Sequence, residues 1–376
     1  MKSRELRVLT HGSDETLSIG CVDCPDLEDC GGLYSPGAIL NCLDWCLCTN
    51  PSTCDKVCPR NELEFVQRVQ EIGGFTLNNI PRARRIDSVS FPNFVPMIYH
   101  GSRRQKNLTA KAVAIPMQAL FKGEELKPRY SSREEIFRKY RIDPKAKLLI
   151  SAVDLDSKIE PYWSYRHTSA LIDQLAAIKP DLFTCPNYSL LFGVPRQDNL
   201  YSLKRVLVCW AELIRTGVNT ALHLNARTDR DWQRLIEFVM DRDEVTSVSF
   251  EFGTGAKRIS RGEWHLKKLL QLADSTNRDV QLIVRGGSRY LSSLRSAFKE
   301  VVSIDTTSFM KTVNRKRLTW YPLFKPTWLK VEMPITAPLD SLLQDNIEVY
   351  QRMMSFQTAP KQSFRAKSAS ASLALR

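Results

Sequence analysis

The cysteines near the amino terminus are the residues whose spacing most directly suggests chemistry. Of ten cysteines, eight lie within residues 21–58: Cys21, Cys24, Cys30, Cys42, Cys46, Cys48, Cys54 and Cys58. Thiolates separated by only a few residues can converge on one ion, because the chain between them is short. The spacing therefore predicts a small cysteine-rich metal-binding module over residues 1–60.

The cysteine pattern leaves the choice between zinc and iron open. Eight thiolates would fill two zinc sites of four ligands each. They would equally hold one iron–sulfur cluster with a second metal beside it, and Cys58 followed by Pro59 is reminiscent of ferredoxin ligands. Disulfides are less expected, because the opening residues, MKSRELRVLT, lack the apolar core of a secretion signal. We expect a cytoplasmic protein with zinc as its cofactor and a [4Fe-4S] cluster as the alternative.

Charge is distributed unevenly along the chain. The 376 residues carry a formal net charge of +13, yet residues 1–58 hold only four Lys or Arg against nine Asp or Glu. The rest of the chain therefore has 50 basic against 32 acidic residues, a net charge of +18. Such an excess favours a polyanionic partner, DNA or RNA. No apolar run is long enough to cross a bilayer, so no membrane partner is expected.

Short apolar segments alternate with helical patterns from residue 94 onward. This alternation is typical of βα units with a parallel sheet, and eight such strands close a barrel. The fold predicted is α/β, a (β/α)8 TIM-type barrel preceded by the cysteine-rich module. The predicted strands are 94–101, 112–117, 147–154, 182–189, 220–227, 247–253, 280–287 and 301–307. The predicted divisions are the module at 1–60, a connector at 61–90, the barrel at 91–335, and a C-terminal helix with a disordered tail at 336–376.

Polar residues recur on one face of the predicted strands, close to their carboxyl ends. Strand side chains alternate between the lumen and the helix layer, and barrel enzymes place their chemistry at the carboxyl ends. In strand eight, for example, Ser303 and Asp305 share one face while Val302 and Ile304 share the other. The alternation predicts a polar ring facing the lumen, formed by Asp154, His223, Asn225, Glu251, Arg285 and Asp305, with His100 at the end of strand one.

The segment 280–317 resembles the last βα unit of tRNA-guanine transglycosylases and of their relatives that place 7-deazaguanines in DNA. Arg285-Gly286-Gly287 takes the place of that family's strand end, and Ile304-Asp305-Thr306-Thr307 that of its Asp-bearing strand end. FPNFVPMIYHG, 91–101, looks like its opening strand, and ISAVDLDS, 150–157, occupies the place of its Asp-Ser-Gly-Gly loop. The Gly-Gly of that loop and the family's C-terminal zinc pattern are missing here.

The resemblance implies a base-exchanging transglycosylase in which Asp305 is the nucleophile. A carboxylate attacking C1′ of a nucleotide would stabilise an oxocarbenium-like transition state, and Asp154 or Asp156 would protonate the departing base. Glu251, Asn225 and Arg285, with His100 and His223, would bind the base. The partners implied are DNA or RNA and a modified purine base or its precursor.

A basic segment with interleaved aromatics follows strand eight. Cations reach phosphates while aromatic faces stack on unpaired bases, so this pattern predicts contact with a nucleic acid. The same aromatics could instead cover the barrel while the cations are solvated. The residues singled out are Arg315, Lys316, Arg317 and Trp320.

Two other functions compete with base exchange. In one, Cys42, Cys46 and Cys48 ligate a [4Fe-4S] centre that cleaves S-adenosylmethionine in a barrel enzyme, although C-x3-C-x-C departs from the usual C-x3-C-x2-C. In the other, the chain is a non-enzymatic, zinc-containing nucleic-acid-binding protein whose polar ring is structural.

Overall fold

A ring of eight parallel strands is the centre of the structure. The computed structural model describes residues 15–17, 34–36, 70–123, 125–168, 170–190, 196–253, 259–322 and 324–358. In chain order the barrel strands are β1 (Phe94–Pro96), β2 (Ala112–Pro116), β3 (Lys147–Ser151), β4 (Leu182–Thr184), β5 (Thr220–His223), β6 (Ser247–Glu251), β7 (Gln281–Arg285) and β8 (Val301–Asp305).

Strand order confirms the predicted barrel. Each strand pairs in parallel with its successor from β2 to β8, and β8 pairs with β1. The ring closes between β1 and β2, where Met97 bridges Ala114 and the Ile98 N–H donates to the Ala114 carbonyl at 2.8 Å. All eight strands predicted from the sequence are present, each starting within one residue of its predicted start and ending before its predicted end.

Helices surround the ring, as the apolar periodicity predicts. They are α1 (Arg133–Tyr140), α2 (Asp156–Tyr165), α3 (Leu171–Ile178), α4 (Arg196–Arg215), α5 (Asp229–Asp241), α6 (Ile259–Ser275), α7 (Leu291–Ala297), α8 (Thr307–Val313) and α9 (Asp340–Gln357). Short 3-10 turns cover Met117–Leu120 and Ser288–Tyr290. Pairs of short antiparallel strands join Glu15–Leu17 to Tyr34–Pro36 and Phe121–Lys122 to Lys127–Pro128.

Two separate apolar clusters show which strand residues face inward. The smaller cluster fills the lumen, and small side chains on β2 and β5 sit among larger ones, as a narrow barrel requires. Its buried members are Phe91, Val95, Met97, Ala112, Ala114, Leu149, Leu182, Ala221, Ile283, Val302 and Ile304. The larger cluster, which includes Leu148, Ile150, Leu222 and Val284, packs the outer faces of the strands against the helices.

Residues 75–90, here called the strap, cross the amino end of the barrel before β1. Donors from the barrel bind main-chain oxygens of the strap: Lys204 bonds Thr76, Arg234 bonds Phe75, Arg242 bonds Ile80 and Pro81, Thr246 bonds Ile86, Gln281 bonds Val89, and Lys147 bonds Ser90. A strap held in this way covers the end of the barrel opposite the one where barrel enzymes place their chemistry.

A β-hairpin and the last helix complete the structure after β8. Lys316–Thr319 pairs antiparallel with Thr327–Lys330, and these strands are called the hairpin below. Helix α9 packs on both α8 and the hairpin, and its buried Asn346 accepts from the Leu318 N–H at 2.8 Å and donates to the Lys316 carbonyl at 2.8 Å. The predicted C-terminal helix is therefore present, while the predicted tail at 359–376 lies outside the described residues.

Candidate functional site

The carboxyl ends of the strands, called the mouth below, carry polar side chains that point into the lumen. The register pairs Ser249 with His223, Glu251 with Arg285, and Arg285 with Ile304. Paired residues of neighbouring strands face the same side, and Ile304 belongs to the lumen cluster. The prediction that His223, Glu251 and Arg285 face the lumen is therefore confirmed.

An ion pair joins neighbouring strands β6 and β7 at the mouth. Arg285 Nε is 3.3 Å from Glu251 Oε2, and the two side chains are 25% and 7% exposed. Arg285 Nη1 also donates to the Val153 carbonyl, just beyond β3, which stands opposite β7 in the ring. The Glu251 Oε1 accepts from the Gly253 N–H at 2.5 Å. The guanidinium thus spans the mouth, with fixed partners on both sides.

Two glycines let the chain turn directly after Arg285. Gly286 and Gly287 have φ values of 74° and 66°, which side-chain-bearing residues rarely adopt. A Cβ added at Gly287 would also lie 2.5 Å from the Phe252 ring. The turn can therefore pack against the end of β6 only with glycine there, which keeps Arg285 beside Glu251.

Tyr99 stands beside this ion pair and was missed by the sequence analysis. Burial raises the pKa of Tyr99, the Arg285 charge lowers it, and the charges of Asp154, Asp305 and Glu251 raise it further. The phenol therefore stays protonated at neutral pH and lies within electrostatic range of all four groups. Val95 and Met97 both belong to the lumen cluster. Continued alternation along the chain would have placed Tyr99, two residues after Met97, on the same face.

His223 and Asn225 lie at the end of β5 and are held by the protein itself. Burial lowers the pKa of His223 to about 3, so the ring is neutral, and its Nδ1 is 3.2 Å from the Ser249 hydroxyl. The Asn225 amide donates to the Tyr188 carbonyl at 3.1 Å. Both side chains therefore form hydrogen bonds within the protein at the mouth.

Asp154 and Asp156 lie in and after the loop that leaves β3. The alternation argument for Asp154 was wrong, because Leu148 and Ile150 pack in the outer cluster and β3 ends at Ser151. The loop nevertheless brings the Asp154 charge within range of Tyr99. Its Oδ1 accepts from the Leu155 N–H at 2.7 Å. Asp156, the first residue of α2, accepts from the Ser189 hydroxyl at 2.6 Å.

The predicted faces of β8 were also wrong. Val302 and Ile304 pack in the lumen, so Ser303 and Asp305 face the helix layer. Asp305 is 4% exposed, and its Oδ1 accepts from the backbone N–H groups of Thr307 and Ser308 at 2.7 and 3.1 Å. These are orphan donors at the start of α8, and a carboxylate that satisfies them stabilises the helix. Burial raises the pKa of Asp305, while the bonds from Ser308 and Thr307 oppose that rise.

His100 points away from the lumen, toward the helix layer. Its exposed ring contacts Phe309 edge-on at 5.0 Å between centroids. Burial of part of the ring lowers the pKa of His100, and the nearby charges of Arg103 and Arg104 lower it further. Of the predicted ring, His223, Glu251 and Arg285 face the lumen, and Asn225 follows His223 in the same phase. Asp154 and Tyr99 lie at the edge of this group.

The predicted nucleic-acid residues lie on or beside the hairpin. Trp320 packs against Phe356 at 5.6 Å, Arg315 donates to the Ile335 carbonyl at 2.6 Å, and Arg317 lies 4.0 Å from Asp345. Two neighbouring aromatics are far more accessible, since Tyr321 is 66% and Phe324 is 72% exposed. From 306 to 331 the sequence has six Lys or Arg and no acidic residue. The hairpin surface is therefore both cationic and aromatic.

The eight clustered cysteines lie outside the described residues. Among the residues that the structure does describe, no group of three or more His, Cys, Asp or Glu is arranged to hold a metal ion. Cys185 and Cys209 are buried in the apolar layer, and burial raises the pKa of both thiols, that of Cys209 to about 12. These two cysteines are packing residues.

Comparison with known proteins adds no assignment. The chain matches no protein-family model, and a search of curated proteins finds no significant match. Within the described residues, no helix has the length and apolar character needed to span a membrane.

Proposed function

We propose that this chain is a nucleic-acid base-modifying enzyme, a glycosyltransferase that exchanges a purine base at the mouth of the barrel. The observation that carries the proposal is the group at the mouth: a lumen filled with apolar side chains ends in the Glu251–Arg285 pair, with Tyr99 and Asp154 beside it. Charged groups that are largely buried must be paired or must serve in binding or catalysis. In barrels of this kind the catalytic groups lie at the carboxyl ends of the strands.

The reacting groups in the proposal are Asp154 and Tyr99. The Asp154 carboxylate forms a bond to C1′ of the nucleotide as the bond from C1′ to the base nitrogen breaks, and Tyr99 gives its proton to the departing base. An incoming base then forms the new bond to C1′, displaces the carboxylate and returns a proton to the Tyr99 phenolate. Asp154 replaces the Asp305 of the sequence-based prediction, because Asp305 faces the helix layer and holds the start of α8.

Base recognition falls to the Glu251–Arg285 pair. A purine edge presents neighbouring donors and acceptors, and a pocket with fixed groups of both kinds discriminates bases by leaving wrong partners unpaired. Glu251 supplies acceptors and Arg285 supplies donors, and both are held by the contacts to Gly253 and Val153. Their fixed geometry suits recognition rather than proton transfer.

The hairpin supports a nucleic acid as the substrate. Exposed Tyr321 and Phe324 offer faces for stacking on unpaired bases, and the six cations of 306–331 neutralise phosphates. The chain that follows the hairpin contacts the loop of residues 99–104, where the Leu339 N–H donates to the Arg103 carbonyl at 2.9 Å. Tyr99 belongs to that loop.

Base exchange is tested by incorporation of labelled guanine into polymer. The full chain is incubated with radiolabelled guanine and either single-stranded DNA or tRNA, and label is counted in the acid-insoluble fraction. We expect Asp154→Asn to lower the rate by at least about 10³-fold, because the amide cannot act as the nucleophile. Asp305→Asn is the matched variant. It should retain most activity, because an amide oxygen still accepts the two N–H bonds of α8.

Two outcomes would contradict parts of this proposal separately. Loss of activity in Asp305→Asn with full activity in Asp154→Asn would restore the sequence-based assignment of the nucleophile. Failure of the wild-type chain to incorporate guanine or a 7-deazaguanine into either polymer, or to release a base from it, would overturn base exchange itself.

For the cysteine-rich module we propose zinc binding, supported by the close spacing of its eight thiols. We expect elemental analysis of the purified chain to find one to two zinc ions per chain. Cys42→Ser should lower this content. Cys209→Ser is the control and should leave it unchanged, because Cys209 is buried against the Tyr188 hydroxyl at 3.7 Å. A preparation with less than one metal ion per chain would contradict the proposal. Iron together with visible absorption would identify an iron–sulfur cluster instead of zinc.

A further inference from the structure

A cavity of about 700 Å³ opens beside the end of β1, and Tyr99 forms part of its wall. It is bounded by the loop after β1, the turn after β2, and the last turn of α1. The residues lining it are Tyr99, His100, Gly101, Ser102, Ala119, Arg129, Tyr130, Glu135, Arg138, Lys139, Tyr140 and Arg141. Its volume is within the range of cavities that hold small ligands. It is called the cationic cavity below.

Positive charge dominates the wall of the cationic cavity. Arg129, Arg138, Lys139 and Arg141 face a single carboxylate, Glu135. That carboxylate accepts from the Ser131 N–H at 2.7 Å and from the Ser131 hydroxyl at 2.8 Å, so it is turned toward the start of α1. Within the described part of the chain, no acidic side chain forms an ion pair with Arg138, Lys139 or Arg141. The excess of cations is thus available to an anion.

The end of α1 would ordinarily repel an anion, but a buried guanidinium removes that obstacle. The last carbonyls of a helix carry partial negative charge. Arg104 donates to the Tyr140 carbonyl at 2.8 Å and to the Arg141 carbonyl at 2.6 Å, and its side chain is almost fully buried. These carbonyls therefore have a cationic partner, whose Nε also lies 3.8 Å from Asp340 Oδ1.

The wall also has an aromatic part. Tyr130 and Tyr140 meet edge to face at 6.1 Å between centroids, and Tyr99 lines the side toward the mouth. Gly101 allows the loop after β1 to pack against α1, because a Cβ there would lie 2.0 Å from the Lys139 carbonyl oxygen. Cations and phenol rings are thereby held around one space, an arrangement suited to a phosphate joined to a ring system.

We propose that the cationic cavity binds the phosphate group of a ligand of nucleotide size. The phosphate contacts Arg138 and Lys139, and the tyrosines line the space for the rest of the ligand. The phosphate comes either from a free nucleotide or from the backbone of a nucleic acid, which share this chemistry. The inference goes beyond the proposed reaction, because it concerns a separate cavity and does not require that the mouth be catalytic.

Calorimetric titration of the full chain tests the proposal with three probes: guanosine, guanosine 5′-monophosphate and a single-stranded DNA pentamer. We expect the monophosphate or the pentamer to bind at least about tenfold more tightly than guanosine, with affinity that falls as salt rises. Binding of the monophosphate identifies a free nucleotide as the source, and binding of the pentamer alone identifies a nucleic-acid backbone.

Matched charge variants locate the binding. Arg138→Gln with Lys139→Gln should lower the affinity for the probe at least about tenfold, since each substitution removes a charge-assisted contact. Lys145→Gln with Lys267→Gln removes the same charge from exposed positions outside the cavity lining and should leave affinity within about twofold. Equal affinity for guanosine and both phosphorylated probes, or equal weakening by the two double variants, would overturn the proposal. Neither result bears on base exchange, which is measured by incorporation.

Discussion

Replacing Arg285 with Met is expected to lower the free energy of unfolding by about 3 kcal/mol, because it removes a cationic partner of the largely buried Glu251 carboxylate. Glu251 is 7% exposed, and Arg285 supplies both its ion pair and a bond to the Val153 carbonyl on the far side of the barrel. Urea unfolding at neutral pH measures the change.

Two further variants make the Arg285 result specific. Glu251→Gln together with Arg285→Met should regain a large part of the lost stability, because a neutral amide then replaces the buried carboxylate that lost its guanidinium partner. Arg317→Met is the control, since Arg317 and Asp345 lie 4.0 Å apart and are 55% and 53% exposed. That exposed pair is expected to contribute less than about 1 kcal/mol. If Arg285→Met cost no more than Arg317→Met, the ion pair would not hold the mouth together.

Acid is expected to destabilise the barrel through two buried histidines. Burial lowers the pKa of His223 to about 3, and burial with the charges of Arg261 and Arg227 lowers that of His265 to about 2. His265 Nδ1 also accepts from Trp232 Nε1 at 3.3 Å, which a protonated ring cannot do. In the unfolded chain both take up a proton near pH 6.5.

The sign follows from which state binds more protons. Between the folded and unfolded pKa values the unfolded chain is the more protonated, so this stability is fully present above about pH 6.5 and is lost as pH falls toward 3. From pH 7.5 to pH 5.0 we expect a loss of about 2 kcal/mol per histidine, or about 4 kcal/mol together. Urea unfolding at the two pH values measures it.

A double variant isolates the histidines from other titrating groups. His223→Gln with His265→Gln keeps an acceptor at each position but takes up no proton, so its stability should change little between pH 7.5 and pH 5.0. A wild-type chain that is equally stable at both pH values would contradict the assignment. So would a double variant that loses as much stability as the wild type.

The strands were predictable because their signal is local. Buried parallel strands read as short apolar runs bounded by turn residues, and all eight such runs in the sequence became strands of the ring. The assignment of faces was correct for β5, β6 and β7, where a polar residue such as Glu251 alternates with buried apolar residues such as Phe250.

Face assignment failed on β8 because apolar residues occupy both faces there. Val302 and Ile304 fill the lumen while Val301 packs outward, so polarity alone does not decide the phase. The sequence around Asp305 also carries a competing signal. Asp305 stands just before a helix, where a carboxylate commonly satisfies the first backbone N–H groups, and the structure gives it that place.

The cationic cavity could not be read from the sequence. Its lining comes from the loop at 99–102, the turn at 119, and residues 129–141, which approach one another only when β1 and β2 close the ring. All four cations of the lining lie within residues 129–141, where they look like ordinary solvated side chains. Their placement against Tyr99 and the loop after β1 is a property of the tertiary structure, as is the contact of Arg285 with the far side of the mouth.

The hydrogen bonds between the barrel and the strap determine how far the sequence of the strap can vary. Lys204, Arg234, Arg242, Thr246, Gln281 and Lys147 all bond main-chain oxygens of the strap, which every residue type carries. Most substitutions at the exposed positions of the strap therefore leave these bonds intact, whereas loss of a single donor leaves a carbonyl without its partner. Related chains are expected to keep the donors and the buried strap residues Phe75, Leu77 and Ile80, and to vary at the exposed strap positions.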